Sequence, residues 1–93
     1  MSNATASGEL TSWETSSQYW AKHHSVIGAM LAPLTSPLVE EAHIGPGQSV
    51  LDVGGGSGEP SLTIAPIVGE SGSVTYTDPS EGMVKAARDE ARF

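Results

Sequence analysis

The sequence predicts an α/β fold: two strand–helix units preceded by an N-terminal helical segment. Three observations carry this. First, Val50-Leu51-Asp52-Val53 is a short apolar run that breaks into Gly54-Gly55-Gly56-Ser57-Gly58, the pattern of a strand ending in a tight loop. Second, Val74-Thr75-Tyr76-Thr77 is another strand-like run, closed by Asp78. Third, apolar residues recur at helical spacing before, between and after these runs. A helix-bearing crossover between the strands implies parallel pairing of right-handed βαβ type.

In chain order, residues 1–10 are small and polar and read as a disordered tail. Residues 11–44 form a helical segment. Thr11-Ser12-Trp13-Glu14 has the spacing of a capping box, and Trp13, Trp20, Ile27, Met30, Leu31 and Leu34 fall on one helical stripe. This helix is expected to end near Ala32, because Pro33 disfavours helical angles at the residue before it. Ser36 and Pro37 then read as the cap and first-turn proline of a short helix through Ala42. Residues 45–93 hold the strand–helix units, entered through the turn Gly45-Pro46-Gly47.

After the glycine loop, Glu59 and Pro60 suit a first helical turn, with Leu62, Ala65, Ile64 and Val68 facing the sheet. Pro66 is expected to kink or end this helix near Ala65, since it removes one hydrogen bond and clashes with the preceding turn. Gly69-Glu70-Ser71-Gly72 turns the chain back into the second strand. From Ser80 the chain is again helical: Ser80 caps, Glu81 pairs with Lys85, and Val84, Ala87 and Ala91 face inward.

The chemistry concentrates at the strand–loop–helix junction. Backbone N–H groups of such a loop and of the following helix N-terminus converge on a ligand's negative group. The spacing Gly54-x-Gly56-x-Gly58 is not the dinucleotide fingerprint, because Glu59 stands where the third glycine of that fingerprint belongs, and no lysine follows to make a phosphate loop. A nicotinamide cofactor is therefore disfavoured. Asp78 lies about twenty residues beyond Gly58, where a doubly wound fold places a carboxylate on ribose hydroxyls.

Val50 to Gly58, Glu59 to Ala65, Gly72 to Ser80, then Met83-Val84 and Ala86-Ala87-Arg88, taken in register, resemble the cofactor half of a class I S-adenosylmethionine-dependent methyltransferase. Within that superfamily the stretch is most similar to the branch containing the ubiquinone/menaquinone biosynthesis methyltransferases. The resemblance implies a Rossmann-like fold, of which only the first two βα units are visible here, and S-adenosyl-L-methionine as cofactor. It assigns cofactor contacts to Asp52, Gly54, Gly55, Gly56, Gly58, Asp78, Pro79 and Met83. Asp52 would help hold the donor's ammonium, Asp78 both ribose hydroxyls, and Met83 the adenine face. The implied reaction is methyl transfer to a small-molecule acceptor, an in-line displacement that asks mainly for alignment. No catalytic residue and no metal ligand is assigned.

The resemblance also implies a larger sheet, so both strands would carry open edges, available to self-association or a partner chain. The chain stops in a helix at Arg92-Phe93 without a glycine or proline stop, which reads as a truncation. The alternative to an enzyme is accordingly a non-catalytic fragment or interaction module that keeps the cofactor motif.

Composition narrows the field further. Eleven acidic against four basic residues give a net charge of −7, which repels phosphate backbones and argues against nucleic acid. The chain has no cysteine, so disulfide frameworks and thiolate metal sites are excluded. No signal peptide and no membrane-spanning run is present, which makes the cytoplasm the default location. His23 and His24 are adjacent and point about a hundred degrees apart on a helix, so they read as solvated or edge-of-core residues, not a metal pair. Trp13, Tyr19 and Trp20 fit either a lid or ordinary packing. Helical spacing favours packing, while the resembled family's N-terminal helix, which often covers the cofactor, keeps Tyr19 and Trp20 as contacts.

Overall fold

The structure, a computed structural model, describes residues 3–91. Its elements run α1 (Asn3–Lys22), α2 (His24–Glu41), β1 (Ser49–Val53), α3 (Ser61–Val68), β2 (Ser73–Thr77) and α4 (Glu81–Ala91). β1 and β2 pair in parallel, Ser49 opposite Ser73 through Val53 opposite Thr77, as the crossover length requires. Gly55 N–H donates to Thr77 O at 2.9 Å and prolongs the ladder into the glycine loop.

Helix α3 covers one face of this sheet against β2, and α4 packs on α1. The core is small: Ile64, Val68, Met83, Ala86 and Ala87 are buried. The opposite face is open, with Leu51 65% and Val53 77% exposed. Among the described residues each strand also has one unpaired edge.

The N-terminal segment departs from its expected boundaries. Helix α1 reaches back to Asn3, so most of the span expected as a disordered tail continues the helix; Met1 and Ser2 lie outside the described residues. The helix break falls at His23, and α2 runs through Pro33 and Pro37 to Glu41, with no fresh start at Ser36. A proline in a helix interior leaves a carbonyl of the preceding turn without its donor. Helix α2 has no buried residue, so water can satisfy those carbonyls.

Helix α3 likewise passes through Pro66 and ends at Val68. Its inward side is Ser61, Ile64 and Val68, while Leu62 is half-buried and Ala65 exposed. Burying Ile64 and Val68 is worth roughly 1.5–3 kcal/mol each, enough to offset one lost backbone bond.

In α4 the expected cap is present: Ser80 Oγ accepts from Met83 N–H at 3.1 Å, and Ser80 is fully buried. Lys85 pairs with Asp89 at 2.9 Å in place of Glu81. Ala86 takes the inward position expected of Ala91, which is exposed. The chain's last two residues, where no stop signal was found, lie outside the described residues.

Glu14 is not half of a local capping box. Its carboxylate reaches across to α4, accepting from Gly82 N–H at 2.8 Å and from Ser80 Oγ at 2.7 Å. An anion at a helix N-terminus is favoured by the unpaired N–H groups and the helix dipole. The bond from Ser80, then that from Gly82, hold the Glu14 carboxyl below its ordinary value of 4.5. Helix α1 lies so close to α4 here that a Cβ on Gly82 would collide with Ser17 Oγ and come within 2.8 Å of Glu14 Oε1.

Gly82→Ala is expected to lower stability in urea by about 1 kcal/mol, an overpacking cost of about 1–3 kcal/mol partly offset by alanine's helix propensity. Gly28→Ala, where a Cβ meets nothing within 4 Å, is expected to raise it by about 0.5–1 kcal/mol. The Glu14 carboxyl has a lowered folded-state pKa, so its contribution is complete above 4.5 and is lost as pH falls through the lowered value. Urea midpoints measured across that acid range should fall more steeply for the native chain than for Glu14→Gln.

Candidate functional site

Over the glycine loop lies a cavity of about 460 Å³, within the range of small-molecule and cofactor sites. Its floor is Gly54, Gly55, Gly56 and Ser57, with Glu59 beyond them. One wall is Asp78, Pro79 and Met83 at the start of α4; the other is Trp13, Trp20, His24, Ile27, Gly28 and Leu31 from α1 and α2. Six of the eight sequence-predicted residues thus meet at one cavity: Gly54, Gly55, Gly56, Asp78, Pro79 and Met83.

Gly58 and Asp52 do not line it. Gly58 packs against Leu62 and Ala87, on the far side of the loop. The Asp52 carboxylate lies behind Gly55 and accepts a hydrogen bond from Ser61 Oγ. Four stripe residues, Trp13, Met30, Leu31 and Leu34, are exposed, as is Tyr19; Trp20 is the one of the two proposed aromatic contacts that reaches the cavity.

The loop is held from β2. Asp78 Oδ2 accepts from Gly56 N–H at 3.0 Å, and Asp78 Oδ1 accepts from Ser80 N–H at 2.9 Å. Tyr76 OH donates to Gly56 O. Gly54 and Gly56 have φ of 70° and 59°, in the left-handed region that glycine enters without penalty. The N–H groups of Gly55, Gly56 and Gly58 are engaged by Thr77 O, Asp78 and Gly55 O. These donors therefore shape the loop and do not converge on a ligand as expected.

Tyr76 was missed by the sequence reading, and the signal was its register opposite Asp52, directly under the glycines. Burial, followed by the charges of Asp78 and Asp52, pushes its hydroxyl up to about 12 from an ordinary 10.0, so it stays a hydrogen-bond donor at neutral pH. A Cβ on Gly55 would stand 2.5 Å from two carbons of the Tyr76 ring.

Each Asp78 oxygen carries two acceptor sites, and one on each is used internally. One per oxygen therefore remains for a further donor, a match in number to a vicinal diol. Trp13 and Trp20 face each other with centroids 6.1 Å apart and planes tilted by 45°. His24 Nδ1 lies 3.3 Å from Ser57 Oγ, and its Nε2 lies 3.7 Å from Glu90 Oε2, so this histidine ties α2 to both the loop and α4. Among the described residues no group of three or more metal-ligating side chains is found, and no helix is long and apolar enough to cross a membrane.

Residues 50–93 match the family described as a methyltransferase domain. Curated relatives extend the likeness. The ubiquinone/menaquinone biosynthesis C-methyltransferase UbiE of Paraburkholderia phymatum is 41% identical over 51 residues, 55% of this chain and 21% of that protein. UbiE of Legionella pneumophila strain Paris is 43% identical over 51 residues, 55% of this chain and 20% of that protein. UbiE of Shewanella pealeana is 41% identical over 54 residues, 58% of this chain and 22% of that protein. The chain thus spans about a fifth of the length of the curated relatives it matches. No solved structure gives a match. The resemblance to class I S-adenosylmethionine-dependent methyltransferases, UbiE among them, is borne out over the strand–loop–helix half of the chain.

Gly55→Ala is expected to cost about 1–3 kcal/mol by forcing the Tyr76 ring aside. Tyr76→Ala removes the ring and leaves Asp52 Oδ2, 2.8 Å from that Cβ, so a double-mutant cycle in urea should return a partial coupling above about 0.5 kcal/mol that favours the pair.

Proposed function

We propose that this chain, whose residues 50–93 match a methyltransferase domain, holds S-adenosylmethionine in the cavity over its glycine loop and forms the donor side of a small-molecule methyltransferase. The observation that carries the reading is Asp78: it lines the cavity, shapes the loop and the start of α4, and keeps one acceptor site on each oxygen. The cavity's size, its apolar indole and Leu31 wall, and its carboxylates suit a cationic nucleoside.

When bound, the cofactor supplies a methyl group activated by the positive sulfur. The protein's share is binding and alignment. Asp78 orients the ribose, Met83 and Pro79 border the base, and the glycine loop lets backbone approach the amino-acid end closely. Trp13, Trp20, Ile27 and Leu31 give that side an apolar wall. No residue is assigned as a general base. The relatives' printed activity, C-methylation in ubiquinone and menaquinone biosynthesis, supports a small molecule as acceptor.

A second reading, a cofactor-binding or interaction module without turnover, is favoured by the open sheet face at Leu51 and Val53. Formation of a methylated product separates the two.

The test is calorimetric titration of the chain with S-adenosylmethionine, with NAD as control. Saturable binding is expected, weakened by about tenfold to a hundredfold in Asp78→Ala, the range for losing hydrogen bonds to a charged group. Equal binding of NAD, or an affinity indifferent to Asp78, overturns the reading.

A further inference from the structure

The cavity contains a carboxylate to which the family resemblance gives no role. Among the described residues two carboxylates line it, Asp78 from the end of β2 and Glu59 from the far end of the glycine loop. Asp52, which the resemblance matches to the donor's ammonium, lies behind Gly55 and outside the lining, and accepts from Ser61 Oγ on that side of the loop. Glu59 is held in place by Thr63 Oγ1, which donates to Glu59 Oε2 at 2.6 Å. That bond leaves acceptor sites on both Glu59 oxygens for a cation.

Resting on the S-adenosylmethionine reading, we propose that Glu59, and not Asp52, takes the α-ammonium of the donor. The donor presents a ribose diol at one end and an ammonium at the other. Asp78 suits the diol, because its free acceptor sites face two neutral hydroxyl donors. An ammonium brings several N–H donors and a full charge, and a carboxylate in a partly closed cavity meets both requirements. Glu59 is the lining carboxylate on the glycine-loop side, where the amino-acid end belongs once the ribose is on Asp78. The same residue breaks the dinucleotide fingerprint in the sequence. On this assignment it fills the third-glycine position because the ligand there is a cation and not a pyrophosphate.

The test compares two nucleosides by titration calorimetry on the full chain. S-adenosylhomocysteine carries the amino-acid end, whereas 5′-methylthioadenosine keeps the adenosine and lacks it. Glu59→Gln, which retains the acceptor for Thr63, is expected to weaken S-adenosylhomocysteine by about tenfold to a hundredfold while methylthioadenosine binds as to the native chain. Glu59→Asp should recover part of the loss, Asp52→Asn should leave the ratio of the two affinities unchanged, and Asp78→Asn should weaken both ligands. The assignment is overturned if Glu59→Gln, in a sample whose circular dichroism matches the native chain, weakens both ligands alike or neither. It is also overturned if the selective loss appears in Asp52→Asn. A native chain that takes up neither nucleoside overturns the cofactor reading itself, and the assignment with it.

Discussion

The peptide groups of a single glycine hold the site together. Gly56, at a φ of 59°, has its N–H on Asp78 and its C=O on the Tyr76 hydroxyl, so both faces of the loop's tightest residue are fixed by the end of β2. The other elements connect through those two side chains. Asp78 also takes Ser80 N–H, which sets the start of α4; Ser80 Oγ both caps α4 and donates to Glu14, which brings α1 across the cavity. Loop, helix start and overlying helix are thus linked by one continuous run of hydrogen bonds, each of them charge-assisted or made at a constrained helix end.

Local physics made much of this legible in the sequence. The strands, the glycine loop, the Ser80 cap and the placement of Asp78 all depend on residues within a few positions of one another. What failed depended on distant neighbours or on solvent. Pro33 and Pro66 each carry a strong local stop signal and Pro37 a start signal, yet Pro33 and Pro37 lie inside a helix open to water and Pro66 between buried Ile64 and Val68. Glu14 fits a local capping pattern with Thr11, but its partners lie 66 and 68 positions away. Tyr76 reads as an ordinary strand aromatic until the parallel register brings it under Gly55. Asp52 stands in the motif position, but its alternation along β1 turns it toward Ser61 and away from the cavity.

Charge distribution follows a similar division. The chain is strongly acidic overall, but what matters at the cavity is where acceptors remain after the internal bonds are made. Glu14 and Asp78 each give one acceptor site per oxygen to internal bonds, and Asp52 gives one site on Oδ2 to Ser61. Glu59 gives one acceptor site to its own helix through Thr63. Asp78 and Glu59 are the two of these carboxylates that line the cavity, so their remaining acceptor sites are the ones a cationic ligand with a diol meets there.

The pairing of Trp13 with Trp20 has a practical consequence. These are the chain's two tryptophans, and both stand in the cavity wall. Their emission therefore reports on that space alone, with no contribution from indoles elsewhere. Occupancy of the cavity, or lifting of α1 from α4, can be followed in the unlabelled chain as a change in intrinsic fluorescence. The protein carries its own optical probe at the place where its function is proposed to reside.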